Sequence, residues 1–299
     1  MNMQELKIEC FSQAIACLPP RLQKEAFAVP NPQKERCEEI RLRTGQKLSI
    51  VLNGMEQTAG NAVIQSEDLR ETVSRAARYS VHSYGDALAH GYLPLEGGHR
   101  LGVCGTTILK AGEIAGIRTI SSLNLRVACQ AIGSANDVIE QIQHQKGVKN
   151  TLIVSPPGFG KTTLLRDIIR QLSEKGIRTA VADERCELAA MKDGIAQFDL
   201  GPHTDIMDGC PKAQGIMILL KTMSPMLVAL DEITSVQDID AIAYAGHCGV
   251  AVLATAHAAD QSDLKRRPLY RKLMQLGVFE QVLIITRHNM ERKYTLETL

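Results

Sequence analysis

Tryptophan is absent from this 299-residue chain, and all aromatic residues together make up 4% of it. Base-stacking surfaces are built from aromatic rings, so a nucleic-acid platform of that kind is not expected. Neither sign of charge is in excess: 34 Lys and Arg stand against 33 Asp and Glu, a formal net charge of +1. That balance excludes a global pull toward nucleic acid or an anionic membrane. Long apolar runs are missing too, and none approaches the roughly 18 residues that a membrane-spanning helix needs. The opening MNMQELKIECFSQ carries Glu5 and Glu9 and lacks the basic-then-apolar order of a signal peptide. The eight cysteines (10, 17, 37, 104, 129, 186, 210 and 248) form no C-x-x-C pair and no zinc-spaced cluster with histidine. Reduced thiols in a cytoplasmic protein are therefore expected. No repeat or low-complexity tract interrupts the chain. The remaining composition, 44% hydrophobic and 22% charged, is that of a globular protein long enough for two domains.

What is present is concentrated at residues 151–163, TLIVSPPGFGKTT. Thr151-Leu152-Ile153-Val154 has the composition of a buried parallel strand. Past the Pro/Gly turn, Leu164, Leu165, Ile168, Ile169 and Leu172 recur at helical spacing, and Gly176 stands where a helix C-cap belongs. A glycine-rich turn between a strand and a helix N-terminus is the setting of a phosphate-cradling P-loop. Ser155, Pro156, Pro157, Gly158, Phe159, Gly160, Lys161, Thr162 and Thr163 are the expected nucleotide-binding residues. Gly158 and Gly160 let backbone N–H groups turn inward toward phosphate oxygens, assisted by the helix dipole. Lys161 is expected to reach the β- and γ-phosphates of ATP, and the Thr162 hydroxyl to ligate Mg²⁺. One position departs from G-x-x-x-x-G-K-[ST]: Ser155 replaces the first glycine, and serine is small enough for the turn.

The chain divides near residues 130–150, into a small N-terminal α+β domain (1–135) and an α/β domain (136–299). In the first, EEIRLRTGQKLSIVLNG reads as a strand, a Thr-Gly turn, a strand and an Asn-Gly turn. Ser66 opens a helix with Leu69, Val73, Ala76 and Ala77 on one face, and short glycine-punctuated strands follow from His99 to Ala128. A helix from Asp137 to His144 leads through Lys146-Gly147 to the P-loop strand. Beyond it, strands at 151–155, 178–183, 226–231, 250–255 and 281–286 alternate with helices at 161–175, 212–223 and 236–247, the pattern of a parallel sheet.

Three further segments end strands with polar residues. PMLVALDE closes on Asp231, placed to hold Mg²⁺, and on Glu232, placed to orient or deprotonate an attacking water. In AGHCGVAVLATAHAAD, Thr255 and His257 sit on the edge where open α/β sheets bind ligands; His247 precedes the strand and reads as structural. VADERCEL ends in Asp183, Glu184 and Glu187 around Arg185, where polarising water and forming a solvated loop are equally open readings. Lys161 and Mg²⁺ leave developing γ-phosphate charge to be met by an arginine. Arg41, Arg43, Arg100, Arg118 and Arg126 of the first half are candidates, to be supplied across a domain or subunit boundary. Lys265-Arg266-Arg267 with Arg271-Lys272 reads as a solvated helix face, a membrane-protein partner being the sharper alternative.

In this order, these elements resemble the secretion-type traffic ATPases, the motors of type II secretion, type IV secretion and type IV pili. A closer resemblance, to a sporulation branch from endospore-forming bacteria, is carried by EEIRLRTGQ, GGHRLGVCG, IRTISSLNLRVA, VADERCE and GHCGVAVLATAHA, from about residue 36 to the end. It implies a RecA-like P-loop NTPase core, a mostly parallel sheet with flanking helices, behind the small N-terminal domain. It implies a homo-hexamer with ATP between subunits, Glu232 as catalytic acid, Asp183 to Glu187 as an aspartate box and His257 in a histidine box. Among the N-terminal arginines, Arg100 and Arg118 are the candidates to complete a neighbouring site. The chain departs from the pattern at Asp231, where many secretion ATPases carry glycine. The implied role is an ATPase in the mother-cell cytoplasm, energising an envelope-spanning channel to the forespore through integral membrane subunits. The alternatives are a nucleotide-gated scaffold with little turnover and a nucleic-acid-stimulated RecA-type motor. A small-molecule kinase is disfavoured because Glu232 activates water and no acceptor site is visible.

Overall fold

Alternating apolar residues in EEIRLRTGQKLSIVLNG place Ile40, Leu42, Leu48 and Ile50 on one fully buried face. They lie on β1 (Cys37–Arg43) and β2 (Lys47–Leu52), antiparallel partners with Ile40 opposite Ile50. Gly45 and Gly54 take the expected turn positions with φ of 78° and 77°. The structure, a computed structural model, describes residues 3–78, 92–110, 112–144, 147–288 and 291–299.

By internal contacts the chain forms two units, Met1–Cys129 with Met191–Gln197, and Gln130–Ala190 with Phe198–Leu299. In the first, β3 (Met55–Val63), β4 (Tyr92–Pro94), β5 (Arg100–Lys110) and β6 (Glu113–Arg126) complete a six-stranded sheet of order β3-β2-β1-β6-β5-β4. The GGHRLGVCG and IRTISSLNLRVA segments thus become one long antiparallel pair, β5 with β6. Helices α1 (Met3–Ala14), α2 (Pro20–Phe27) and α3 (Asn31–Lys34), with a 3₁₀ turn at Ile15–Cys17, precede the sheet. They contribute Phe11, Ile15, Leu18 and Leu22 to its core. Helix α4 (Ser66–Ala76) begins at the expected residue, and Leu69, Val73, Ala76 and Ala77 are buried as its spacing requires. Its first turn is closed by Asp68, which accepts the Gln65 N–H at 2.6 Å.

The second unit begins differently from expectation. The helix expected over 137–144 is a single turn, α5 (Ile139–Ile142), and its last two residues form β7 (Gln143–His144). β7 pairs with β8 (Gly147–Val148), so hydrogen bonds to a neighbouring strand replace the helical ones. Lys146 lies outside the described residues. The main sheet then follows, with order β11-β10-β12-β13-β9-β14-β15. Its strands are β9 (Thr151–Ser155), β10 (Thr179–Asp183), β11 (Thr204–Asp208), β12 (Leu227–Leu230), β13 (Ala251–His257), β14 (Gln281–His288) and β15 (Glu291–Thr298). All pair in parallel except β15, which runs antiparallel to β14. The two edge strands, β11 (TDIMD) and β15 (ERKYTLET), escape a pattern search because edge strands are half solvated and carry charge.

Helices α6 (Lys161–Glu174), α7 (Lys212–Thr222) and α8 (Val236–His247) fall within one residue of expectation. α6 ends on Gly176 at φ 85°, whose N–H reaches the Ser173 carbonyl while Ile177 reaches Leu172, a glycine-terminated helix end. Every residue of β9 and β12 is buried, which explains their unbroken apolar runs. The basic cluster lies on α9 (Gln261–Arg266), the following Arg267 and α10 (Pro268–Gln275), and is exposed. Arg267 pairs with Asp263 at 3.0 Å and Lys272 with Asp240 at 3.5 Å, as a solvated face would. No helix among the described residues is long and apolar enough to cross a membrane.

Candidate active site

The glycine-rich loop follows directly from β9. Ser155, its last residue, is fully buried and in register with His257, the last residue of β13. The strand expected over 250–255 therefore runs to 257, and His257 stands at its end rather than beyond it. Gly158 and Gly160 take positive φ, 77° and 93°, and Gly160 is the N-cap of α6. A side chain at either would be strained, and no side chain there leaves backbone amides accessible at a helix N-terminus.

Lys161, the first residue of α6, is 5% exposed. Its Nζ donates to the carbonyls of Ser155 (2.8 Å) and Pro156 (3.2 Å) and to the Ser155 hydroxyl (3.3 Å). It also lies 2.8 Å from His257 Nδ1. An ammonium only donates, so Nδ1 is the acceptor and His257 Nε2 carries the hydrogen, 3.4 Å from Glu232 Oε1. Burial pushes the Lys161 pKa down, while Asp231 and Glu232 act in the opposite direction.

Thr255 organises the carboxylates. Its hydroxyl donates to Asp231 Oδ1 at 2.6 Å and accepts the Glu232 N–H at 2.8 Å, and its carbonyl accepts the Ile233 N–H at 3.0 Å. The other Asp231 oxygen accepts the Thr162 hydroxyl at 2.6 Å. Glu232 has φ of 53°, a left-handed conformation that non-glycine residues seldom adopt and that collects at functional sites. The Thr255 bonds hold it there. Glu232 is also ion-paired to Arg185, a contact that spacing did not reveal.

The aspartate-box residues separate into different tasks. Asp183 is 2% exposed and accepts the N–H groups of Glu187 (2.8 Å), Leu188 (3.0 Å) and Ala189 (2.9 Å). It fixes the turn that carries Arg185. Burial raises its pKa, against those three bonds, which lower it. Glu184 is turned to Lys212, and Glu187 lines the pocket beside the glycine-rich loop. His247 is exposed in the last turn of α8.

Lys161, Thr162, Glu187, Asp231, Glu232, Thr255 and His257 line a pocket of about 370 Å³, which Gly158, Gly160, Thr163 and Arg292 complete. All belong to the second unit. Arg292, with its neighbour Arg287, went unread in the sequence because a cation on a polar strand carries no local signature. The expected arginines all lie in the first unit. Arg41 pairs with Glu39, Arg43 with Glu56, and Arg126 lies 3.9 Å from Glu39. Arg100 stands over the Tyr92 ring at 4.9 Å, and Arg118 is exposed on β6.

The pocket's residues fit a magnesium nucleotide: a buried ammonium, open loop amides and a hydroxyl–carboxylate pair at Thr162 and Asp231 are oxyanion and hard-cation donors. The fold is that of the RecA-like core of the secretion and pilus traffic ATPases. The Yersinia pseudotuberculosis ATPase DotB matches with a TM-score of 0.60 at 14% identity, over 93% of this chain and 78% of that one. The pilus retraction motor PilT with bound ADP matches with a TM-score of 0.59 at 13% identity, over 88% and 79%. Residues 14–294 match the family "Sporulation stage III, protein AA". Stage III sporulation protein AA of Bacillus subtilis (strain 168) is 36% identical over 279 residues, 90% of this chain and 89% of that protein. The chain belongs to the sporulation stage III protein AA family.

Proposed function

We propose that this protein is an Mg²⁺-dependent ATPase of a secretion-like apparatus in endospore formation, acting as a homo-hexamer from the mother-cell cytoplasm on integral membrane subunits. The observation that carries the reading is the convergence of Lys161, Thr162, Asp231, Glu232 and His257 in one pocket at the ends of β9, β12 and β13. Loop amides and Lys161 bind the phosphates. Thr162 and Asp231 would hold Mg²⁺, which when bound neutralises phosphate charge. Glu232 orients a water and takes its proton, and Arg185 and His257 hold its carboxylate in place. His257 links Glu232 to Lys161, so a change at the terminal phosphate is passed to the carboxylate through one imidazole. The sporulation role and the membrane partners rest on the family. The net charge of +1 and the absence of tryptophan speak against a nucleic-acid motor.

The test is phosphate release together with nucleotide binding in two variants. Lys161→Ala is expected to lose ATP binding. Glu232→Gln is expected to keep binding and lose turnover by about 100-fold, the scale of a general base. Wild-type turnover in both would overturn the assignment. Binding by the wild type without hydrolysis, including with membrane subunits added, would make the protein a nucleotide-gated scaffold instead.

A further inference from the structure

β14 and β15 bring two arginines to the phosphate loop from the flank opposite the carboxylates. In the sheet, β13 and then β12 lie on one side of β9, and β14 and then β15 on the other. Asp231, Glu232 and His257 therefore reach the loop from one flank and the β14–β15 pair from the other. Arg287 of β14 and Arg292 of β15 are register partners. Their side chains stand on the same face with Cβ atoms roughly 5 Å apart, an arrangement that costs stability for like charges. Arg287 is spent on the loop itself. Its Nη2 donates to the Gly158 carbonyl at 3.1 Å, and its guanidinium lies 5.2 Å from the centroid of the Phe159 ring.

Arg292 lies over the next glycine. A Cβ at Gly160 would stand 2.5 Å from its Nη2 and 2.7 Å from its Cζ. The guanidinium lines the pocket and, among the described residues, takes part in no hydrogen bond or ion pair. A forked donor held over a phosphate loop beside a second cation is arranged to meet an anion.

We infer that Arg292 is a nucleotide-phosphate ligand provided in cis, and that Arg287 positions the loop beneath it. The inference rests on reading the pocket as an ATP site. The flank decides which phosphates are met. Thr162, Asp231 and Glu232 mark the side of the metal and the terminal phosphate, so the opposite side faces the proximal phosphates that ADP and ATP share. Arg292 therefore strengthens both nucleotides alike, while the groups around Glu232 tell them apart.

Fluorescent ADP and a fluorescent non-hydrolysable ATP analogue, titrated with Mg²⁺ into the full chain, test this. Arg292→Ala is expected to weaken both by the same factor, about tenfold, as loss of a charge-assisted contact does. Arg292→Lys recovers part of the loss, since it keeps the charge without the fork. Arg287→Ala is expected to weaken both as well, and to speed hydrogen exchange in the 155–162 backbone, which Arg292→Ala leaves slow. Unliganded melting of Arg292→Ala should be no lower than wild type, because the side chain is exposed and a like-charge contact with Arg287 is removed. Affinities of Arg292→Ala within twofold of wild type would overturn the inference, and so would a loss confined to the ATP analogue. Where Lys161→Ala loses binding and Arg292→Ala does not, the pocket reading stands and only the arginine inference falls. Where wild type and Lys161→Ala bind equally, both fall.

Discussion

Thr255 donates its hydroxyl to Asp231 at 2.6 Å while accepting the Glu232 N–H at 2.8 Å. One side chain thus holds two consecutive acidic residues, the second of them in the left-handed region at φ 53°. Neither bond is local: Thr255 lies two residues before the end of β13 and Asp231 follows β12, and the parallel pairing of those strands brings them together.

Thr255→Val preserves shape and removes the hydroxyl. The Glu232 N–H and one Asp231 oxygen then lose their partner, at a cost of about 1–3 kcal/mol. The expected result is a lower urea midpoint and weaker Mg²⁺-dependent nucleotide binding, with Thr255→Ser close to wild type. An unchanged midpoint in Thr255→Val would show that the hydroxyl does not hold the turn.

Gly105 lies where β5 slips register against β6. A Cβ there would stand 2.0 Å from the Thr119 carbonyl oxygen, which is backbone and cannot turn aside. Gly105→Ala must therefore separate the two strands, and a loss of more than about 2 kcal/mol in the N-terminal unit is expected. Gly116, with nothing within 4 Å of a built Cβ, serves as the control in the same pair of strands. Equal hydrogen exchange in Gly105→Ala and Gly116→Ala would refute the clash.

His99 is 1% exposed, accepts the Ala128 N–H on Nδ1 at 2.9 Å, and has Nε2 buried without a hydrogen-bond partner among the described residues. Burial pushes its pKa down from 6.5 to about 4. Between those values the unfolded chain binds a proton that the folded chain does not, so stability falls as pH drops through that window. At about 1.4 kcal/mol per unit, the loss is on the order of 3 kcal/mol. Glu56, held down to about 2 chiefly by Arg43 and also by Ser49, adds its own loss only below the ordinary carboxylate range. Hydrogen exchange of the N-terminal unit at pH 7.0, 5.5 and 4.5 should show the decline, and His99→Gln should flatten it between pH 7 and 5. A decline that is as steep in His99→Gln would assign it to other groups.

Sequence legibility followed the distance over which a contact acts. The loop from Ser155 to Thr163 was readable because a strand, a positive-φ turn and a helix start are consecutive, and each leaves its own residue pattern. Asp231, Glu232, Thr255 and His257 were readable as polar ends of apolar runs. The short helix at 139–142 was not, since pairing of β7 with β8 overrides the helical preference of the residues beside it. The pairing of Arg185 with Glu232 stayed hidden because it depends on three backbone N–H groups folding around Asp183.

Local chemistry in the chain determined the buried strands and the long helices of the second unit, and that a glycine-rich turn lies between β9 and α6. Only the tertiary structure decided what surrounds that loop. Strands buried on both faces carry little that specifies their neighbours, so strand order is set by packing across the whole sheet. That order put the carboxylates on one flank of Lys161 and Arg287 with Arg292 on the other. Gln281 pairs with Thr151 across the intervening sequence, and this register carries Arg292 to Gly160. The sequence itself offered Ser155, Lys161 and Thr162; packing supplied the arginine beside them.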